Sequence, residues 1–327
     1  MSVALAKARS TAFEAINGTE EGGFLDAVLN GLSLPQKAIP SRFFYDKRGS
    51  ELFEDITRLK AYYPTRSELE IFDIRGEEIA ALVPDAEAMV EFGSGSSRKI
   101  RAILKALTHL RLYAPIDISP EMLAAEAKAL SADFPDLKVV PIHADFMSPV
   151  QLPAEIRGTK RLAFFPGSTI GNLEPHEAFQ FLQRVRDVVG SSGHLLIGVD
   201  RKKDEATLVR AYDDPEGVTG AFNLNLLVRA NRELGADFDL ERFAHEARYN
   251  ADHGRIEMHL KSLADQRVTI GDRHFDFRAD ETIHTENSYK YTPDEFHLLA
   301  RAARFEPVRS WTDSASRFGV YLLQNQG

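Results

Sequence analysis

From Ala88 to Asp200 the chain repeats one pattern: a short apolar run that ends on glycine or an acid, then a stretch with helical spacing. Ala88 to Phe92 closes on Gly93-Ser94-Gly95. Residues 110–118 close on Asp117-Ile118-Ser119-Pro120, and 137–143 lead to Asp145-Phe146. Residues 161–166 lead to Gly167 and the loop up to Asn172, and 194–200 end on Asp200. Helical stretches at 99–107, 121–130 and 178–189 separate these runs. Strands alternating with helices predict an α/β fold with a mostly parallel sheet wound on both faces. Right-handed crossovers put the strand-end loops on one edge, where sheets of this kind bind their ligands.

Outside that stretch the pattern differs. Apolar residues at helical spacing predict helices over 23–32, around 52–59 and over 66–82. After Asp200 the alternation stops. Helices are expected near 205–212 and 222–234, then strands at 242–250, 255–263 and 267–270. Alternation resumes at Thr292, with a helix to Ala303 and strands near 305–312 and 317–323. The chain therefore reads as a cofactor-binding domain of residues 67–201 and 291–327. A smaller α+β substrate domain of residues 20–66 and 202–290 is inserted into it.

Charge and composition narrow the chemistry. The 49 Asp and Glu outnumber the 40 Lys and Arg, for a net charge of −9, and no dense basic block occurs. Nucleic acid is therefore not an expected partner. With no cysteine, disulfides, thiolate catalysis, cysteine-held zinc and iron–sulfur clusters are excluded. No apolar run approaches the roughly 20 residues that span a bilayer, and the first ten residues lack signal-peptide features. A cytoplasmic monomer with no membrane partner is expected. His245, His253, His259, His274 and His284 are scattered without a compact ligand spacing, so no metal is expected.

The strand ends carry the site residues. Glycines at 93 and 95 permit a tight turn and let backbone N–H groups approach a ligand. A dinucleotide fingerprint would want a third glycine at 98, which is Arg98. Asp117 can accept hydrogen bonds from both hydroxyls of a ribose. Asp145 can take an adenine amino group while the Phe146 ring flanks the base. Glu91, just before the glycines, and the lack of a phosphate-binding lysine motif favour S-adenosylmethionine over NAD or ATP. Read alone, each of these residues also fits an ordinary turn, helix cap or loop acid.

Several longer stretches carry a resemblance. They are Phe44-Tyr45-Asp46 with Gly49-Ser50, the run from Tyr62 to Arg66 (YYPTR), Glu91 to Gly95, Phe165 to Asn172 (FPGSTIGN) and Thr285 to Lys290 (TENSYK). Over residues 25–325 the chain resembles the histidine-specific methyltransferase family. The resemblance implies a class I S-adenosylmethionine-dependent methyltransferase domain, Rossmann-like, joined to a substrate domain. It implies three methyl transfers to the α-amine of L-histidine, giving hercynine for ergothioneine biosynthesis. By the same resemblance Gly93, Ser94, Gly95 and Lys99 surround the methionine end of the cofactor, with Glu91 beside them. Asn172 faces the methyl group, with Gly167 and Thr169 on the same loop, and Tyr45 lies near the amine. Tyr62 and Tyr212 contact the amino and carboxylate groups. Glu286 and Ser288, alternate residues of an extended segment, read the imidazole, and Phe53 and Met258 wall it. Asn287 and Tyr289 would crowd that pair. The alternatives are the same chemistry on another amino acid or small amine, a silent S-adenosylmethionine-binding module, and a nicotinamide enzyme, which Arg98 disfavours.

Overall fold

The computed structural model describes residues 23–94 and 97–327. The chain forms two compact units, residues up to Tyr63 with Lys203–Tyr289, and Pro64–Lys202 with Lys290–Gly327.

The second unit is built on one sheet. Its strands are β1 (Ala88–Phe92), β2 (Leu112–Asp117), β3 (Lys138–Val139), β4 (Ile142–His143), β5 (Arg161–Phe165), β6 (His194–Asp200), β12 (Phe305–Thr312) and β13 (Phe318–Asn325), in the order β12-β13-β6-β5-β1-β2-β3, with β4 also on β2. The pairs from β6 to β3 and β4 are parallel, while β13 runs antiparallel to β6 and β12. Alternate residues of the buried strands enter different cores. Val90, Phe92, Ala163 and Phe165 join one with helices Pro175–Val189 and Pro293–Ala302. Met89, Leu162 and Phe164 join the other, with Ile71 and Phe72 of helix Tyr63–Leu82 and Ile100 and Ile103 of helix Ser97–Leu104. Covered on both faces, such strands read as continuous apolar runs, which is why the sequence reveals them. β1 pairs with β2 on one side and β5 on the other. The order reverses there, the place where sheets of this kind bind their ligands beyond the strands' carboxyl ends. This is the doubly wound, Rossmann-like sheet that the alternation predicts. The strand expected over 137–143 is instead two short pieces, β3 and β4. Pro141 between them cannot donate to a ladder.

The first unit has its own core, with Phe44, Phe222, Leu226, Met258 and Leu260 among its members. Three antiparallel strands form its main sheet in the order β11-β8-β7: β7 (Phe243–Asn250), β8 (Arg255–Ser262) and β11 (Thr282–Tyr289). β9 (Gln266–Ile270) and β10 (Arg273–Phe277) form a separate hairpin. Helices Lys47–Ile56, Glu205–Tyr212 and Val218–Leu234 pack in the same unit. Strand β11 carries a register shift between His284 and Glu286. Among the described residues, no helix is long and apolar enough to cross a membrane.

Candidate active site

In the second unit the strand-end residues gather at the β1 switch point. Gly93 has φ +72, and a Cβ there would meet the Phe146 ring at 3.4 Å. The N–H groups of Gly93 and Ser94 both turn to the carbonyl of Ile116, at 3.0 and 3.3 Å. These two N–H groups thus complete the β1–β2 ladder. Gly95 lies outside the described residues. Asp117 is half-buried at the end of β2, and its Oδ1 accepts the N–H of Ser119 at 2.9 Å. Burial pushes its carboxyl up, against the N–H groups of Ser119 and Ile118. Asp145 is exposed, with Oδ1 accepting the Met147 N–H at 2.8 Å. The Phe146 ring beside it stands edge-on to Phe165 and Phe181, each at 5.7 Å.

Two acids that act within the protein lie behind this edge. Glu91 is 1 % exposed and accepts the Tyr113 hydroxyl. Burial raises its pKa to about 8, against the pull of Tyr113 and Lys99. Glu68 is fully buried, and no periodicity in the sequence marks it as a site residue. Its Oε2 lies 2.8 Å from Lys99 Nζ and accepts the Gly167 N–H at 2.9 Å. Gly198 makes room for it, since a Cβ at that position would overlap Glu68 Oε1. The one signal for Glu68 was an acid close behind the YYPTR stretch. Lys99 is thus already charge-neutralised, beside whatever ligand it meets.

The loop after β5 is held at several points. Gly167 has φ +81, and a Cβ there would lie 2.7 Å from Lys99 Nζ. Ser168, at φ +61, accepts the Asp200 N–H on Oγ at 2.8 Å. The Thr169 hydroxyl donates to the Pro166 carbonyl at 2.9 Å. The half-buried Asn172 ends the short turn Thr169–Asn172, and Glu177 accepts the Glu174 N–H at the start of the next helix.

Whether S-adenosylmethionine suits these residues can be judged from their chemistry. It has a ribose and an adenine to recognise and no phosphate to bind. The second unit offers acids at two successive strand ends. It also has an aromatic ring against a turn whose positive φ at Gly93 favours glycine. The residues fit the cofactor.

The first unit gathers the other set. An aromatic row runs from Tyr45 to Phe53 (5.7 Å), Phe53 to Tyr62 (6.4 Å) and Tyr62 to Tyr212 (6.1 Å). Tyr45 is 39 % exposed, while Tyr62 and Tyr212 are buried. The row continues to Ser288, whose Oγ lies 2.7 Å from Tyr212 Oη. Glu286 stands opposite Met258 and Ser288 opposite Ile256 in the β11–β8 register. Asn287 and Tyr289 alternate to the other face, opposite Glu257 and Arg255, and Arg255 donates to the Tyr289 hydroxyl at 2.6 Å. The crowding expected from these two residues is therefore absent.

The histidines are less scattered than their spacing suggested. The rings of His259 and His284 stack at 4.6 Å and 17°, and the donor atoms of Glu257, His259 and His284 lie within 4.8 Å of one another. Near-parallel stacked rings keep their in-plane lone pairs in two planes and do not converge on one ion. Arg255 also bonds Glu257 Oε1 at 2.8 Å. Burial pushes His284 down to about 3, so it stays neutral. The group is a buried polar layer on the face of the sheet away from Glu286.

Comparison with known proteins places the chain. A family model described as histidine-specific methyltransferase, SAM-dependent, matches residues 24–325. The chain is 44% identical over 301 residues to histidine N-alpha-methyltransferase of Mycobacterium tuberculosis, covering 90% of this chain and 92% of that protein. It is 41% identical over 297 residues to the protein of the same name from Mycolicibacterium smegmatis, at 89% and 92% coverage. It is 32% identical over 299 residues to ergothioneine biosynthesis protein 1 of Neurospora crassa, covering 88% of this chain and 33% of that longer protein. The chain belongs to the histidine-specific, S-adenosylmethionine-dependent methyltransferase family.

Proposed function

We propose that the protein methylates the α-amine of L-histidine three times to give hercynine, in ergothioneine biosynthesis, with the second unit holding the cofactor and the first the amino acid. The observation that carries the reading is the shared face of Glu286, Ser288 and Tyr212 opposite Met258. A carboxylate and a hydroxyl two residues apart on one strand face match the two nitrogens of an imidazole. An amino acid lacking those nitrogens would forfeit both bonds and bind less well.

S-adenosylmethionine, when bound, supplies an electrophilic methyl group. Asp117 would accept the ribose hydroxyls, and Asp145 with Phe146 would hold the adenine. Gly93, Ser94, Gly95, Glu91 and Lys99 would line the methionine end. On the substrate side, Glu286 accepts a ring N–H and Ser288 complements the other nitrogen, while Phe53 and Met258 wall the ring. Tyr62 and Tyr212 hold the amino and carboxylate groups. Asn172, held on its loop with Gly167 and Thr169, both donates and accepts, and so steers the amine. Orientation of this kind supplies much of the acceleration in a direct displacement. The amine is taken up as its free base, and the Tyr45 hydroxyl orients it. The reading includes a cytoplasmic monomer that acts on a free amino acid. Light scattering at the mass of a single 327-residue chain tests the oligomeric part.

The decisive experiment incubates the protein with S-adenosylmethionine and the twenty amino acids, followed by mass spectrometry. Three methyl groups on histidine and none elsewhere is the expected result. Methylation of a different amine would keep the fold and cofactor and overturn the role given to Glu286 and Ser288. Cofactor binding without any transfer would leave a binding module and end the enzyme reading.

A further inference from the structure

His245, opposite Leu260, lies on the same face of the sheet as Glu286 and Ser288, and with Asn223 and Thr285 it makes a set of polar groups, mostly buried, that the proposed reaction does not use. The set starts at the irregularity in β11. His284 pairs with His259, but Glu286 pairs with Met258, so Thr285 is the extra residue of a β-bulge. Side chains alternate along a strand, and a one-residue shift sends every following side chain to the other face. His284 shares the His259 face. Without the bulge, Glu286 and Ser288 would share it too, among Glu257 and Arg255. With the bulge, they lie on the Met258 face with Tyr212.

Thr285 is fully buried. Its hydroxyl lies 2.8 Å from Asn223 Oδ1 and 3.0 Å from the Met258 carbonyl. Asn223, also fully buried, donates through Nδ2 to the His259 carbonyl at 3.0 Å and to His245 Nδ1 at 2.9 Å. A carbonyl only accepts, so the His259 carbonyl fixes which end of the Asn223 amide is nitrogen. His245 Nδ1 must then accept, and Nε2 carries the proton. That N–H donates to the Tyr212 carbonyl at 2.7 Å. Tyr212 in turn meets Ser288 through its own hydroxyl. The chain of bonds thus leaves the bulge at Thr285 and returns to the same strand at Ser288.

We propose that Thr285, Asn223 and His245 are positioning residues that lock the β11 bulge and the Tyr212 backbone, and so hold the carboxylate and hydroxyls that select a two-nitrogen heteroaromatic ring. The proposal rests on the reading that Glu286 and Ser288 recognise the substrate's imidazole. None of the three positioning residues need touch the substrate. Their loss shows in substrate selection, while cofactor binding, which belongs to the other unit, is spared.

The test is Thr285→Val, which keeps the branched shape and removes the hydroxyl, with Thr285→Ser as the conservative rescue. Steady-state rates are measured against L-histidine and against S-adenosylmethionine. Thr285→Val should raise KM for histidine about tenfold, the worth of one buried hydrogen bond. KM for S-adenosylmethionine should stay within about twofold, and the serine variant should restore the histidine value. An unchanged histidine KM in the valine variant overturns the proposal, as does an equal rise in both KM values. If Thr285→Val does not fold, the other end of the network is read instead. His245→Gln, which keeps a donor for the Tyr212 carbonyl, should hold the histidine KM within about threefold, whereas His245→Leu should raise it. Equal effects of those two changes overturn the proposal. Failure of the wild-type protein to methylate histidine would instead overturn the function itself.

Discussion

Glu91 keeps a proton that an ordinary carboxyl would release. It is buried at the end of β1 against the Tyr113 hydroxyl, and burial raises its pKa to about 8. In the unfolded chain it would titrate near its ordinary value. Between these two pKa values the folded protein therefore binds one more proton than the unfolded chain, and stability falls as pH rises. This sign is opposite to that of a salt-bridged acid, whose folded pKa is lowered. Glu91→Gln imitates the protonated form. It should leave stability nearly unchanged near pH 5. It should remove a loss on the order of a few kcal/mol between pH 5 and 8. Urea unfolding of both proteins across that range checks this. Parallel pH profiles would show that Glu91 is ionised in the fold.

At the scale of elements, one buried acid joins three of them. Glu68 of helix Tyr63–Leu82 reaches Lys99 of helix Ser97–Leu104 and the Gly167 N–H of the loop after β5. Removing one partner of a buried pair leaves the other uncompensated. Glu68→Gln should cost about 3 kcal/mol, the low end of that effect, because Lys99 keeps some contact with water. It should also raise KM for S-adenosylmethionine severalfold and leave KM for histidine unchanged. Denaturant titration and steady-state kinetics read the two effects, and a change in histidine KM alone would contradict the assignment. The sequence showed little of this link, because a single acid has no period. It does show β1, β5 and β6, whose mostly apolar runs follow from burial on both faces. β10 and β11 were not recognised as strands of a sheet. β11 reads Thr-Ile-His-Thr-Glu-Asn-Ser-Tyr and is buried throughout. On it, Thr285 and Ser288 bond Asn223 and Tyr212, distant in sequence. Hydropathy carries no trace of such partners, nor of the bulge that turns Glu286. The strand-end acids Asp117 and Asp145 were legible from position alone. The tyrosines, Glu286 and Ser288 needed the family resemblance to stand out.

For the whole molecule, the proposed function gives the cofactor a reporter of its own in the second unit. Trp311 is the chain's one tryptophan, and it is buried in the core of the second unit. Its fluorescence therefore follows that unit. S-adenosylhomocysteine, the demethylated cofactor, should stabilise the unit that binds it by about 2.7 kcal/mol at a hundred times its Kd. The Trp311 unfolding midpoint should move to higher urea accordingly, and L-histidine alone should move it less. The complementary change is Leu260→Ala, at a fully buried position in the first unit's core. Such a cavity costs about 2–5 kcal/mol. Calorimetry on this variant should find S-adenosylhomocysteine affinity within about threefold of the wild type, because none of the proposed cofactor residues belongs to that unit, while histidine methylation weakens. A Trp311 transition that responds to histidine and ignores S-adenosylhomocysteine would exchange the two assignments. It would move the amino-acid site to the strand ends of the doubly wound sheet.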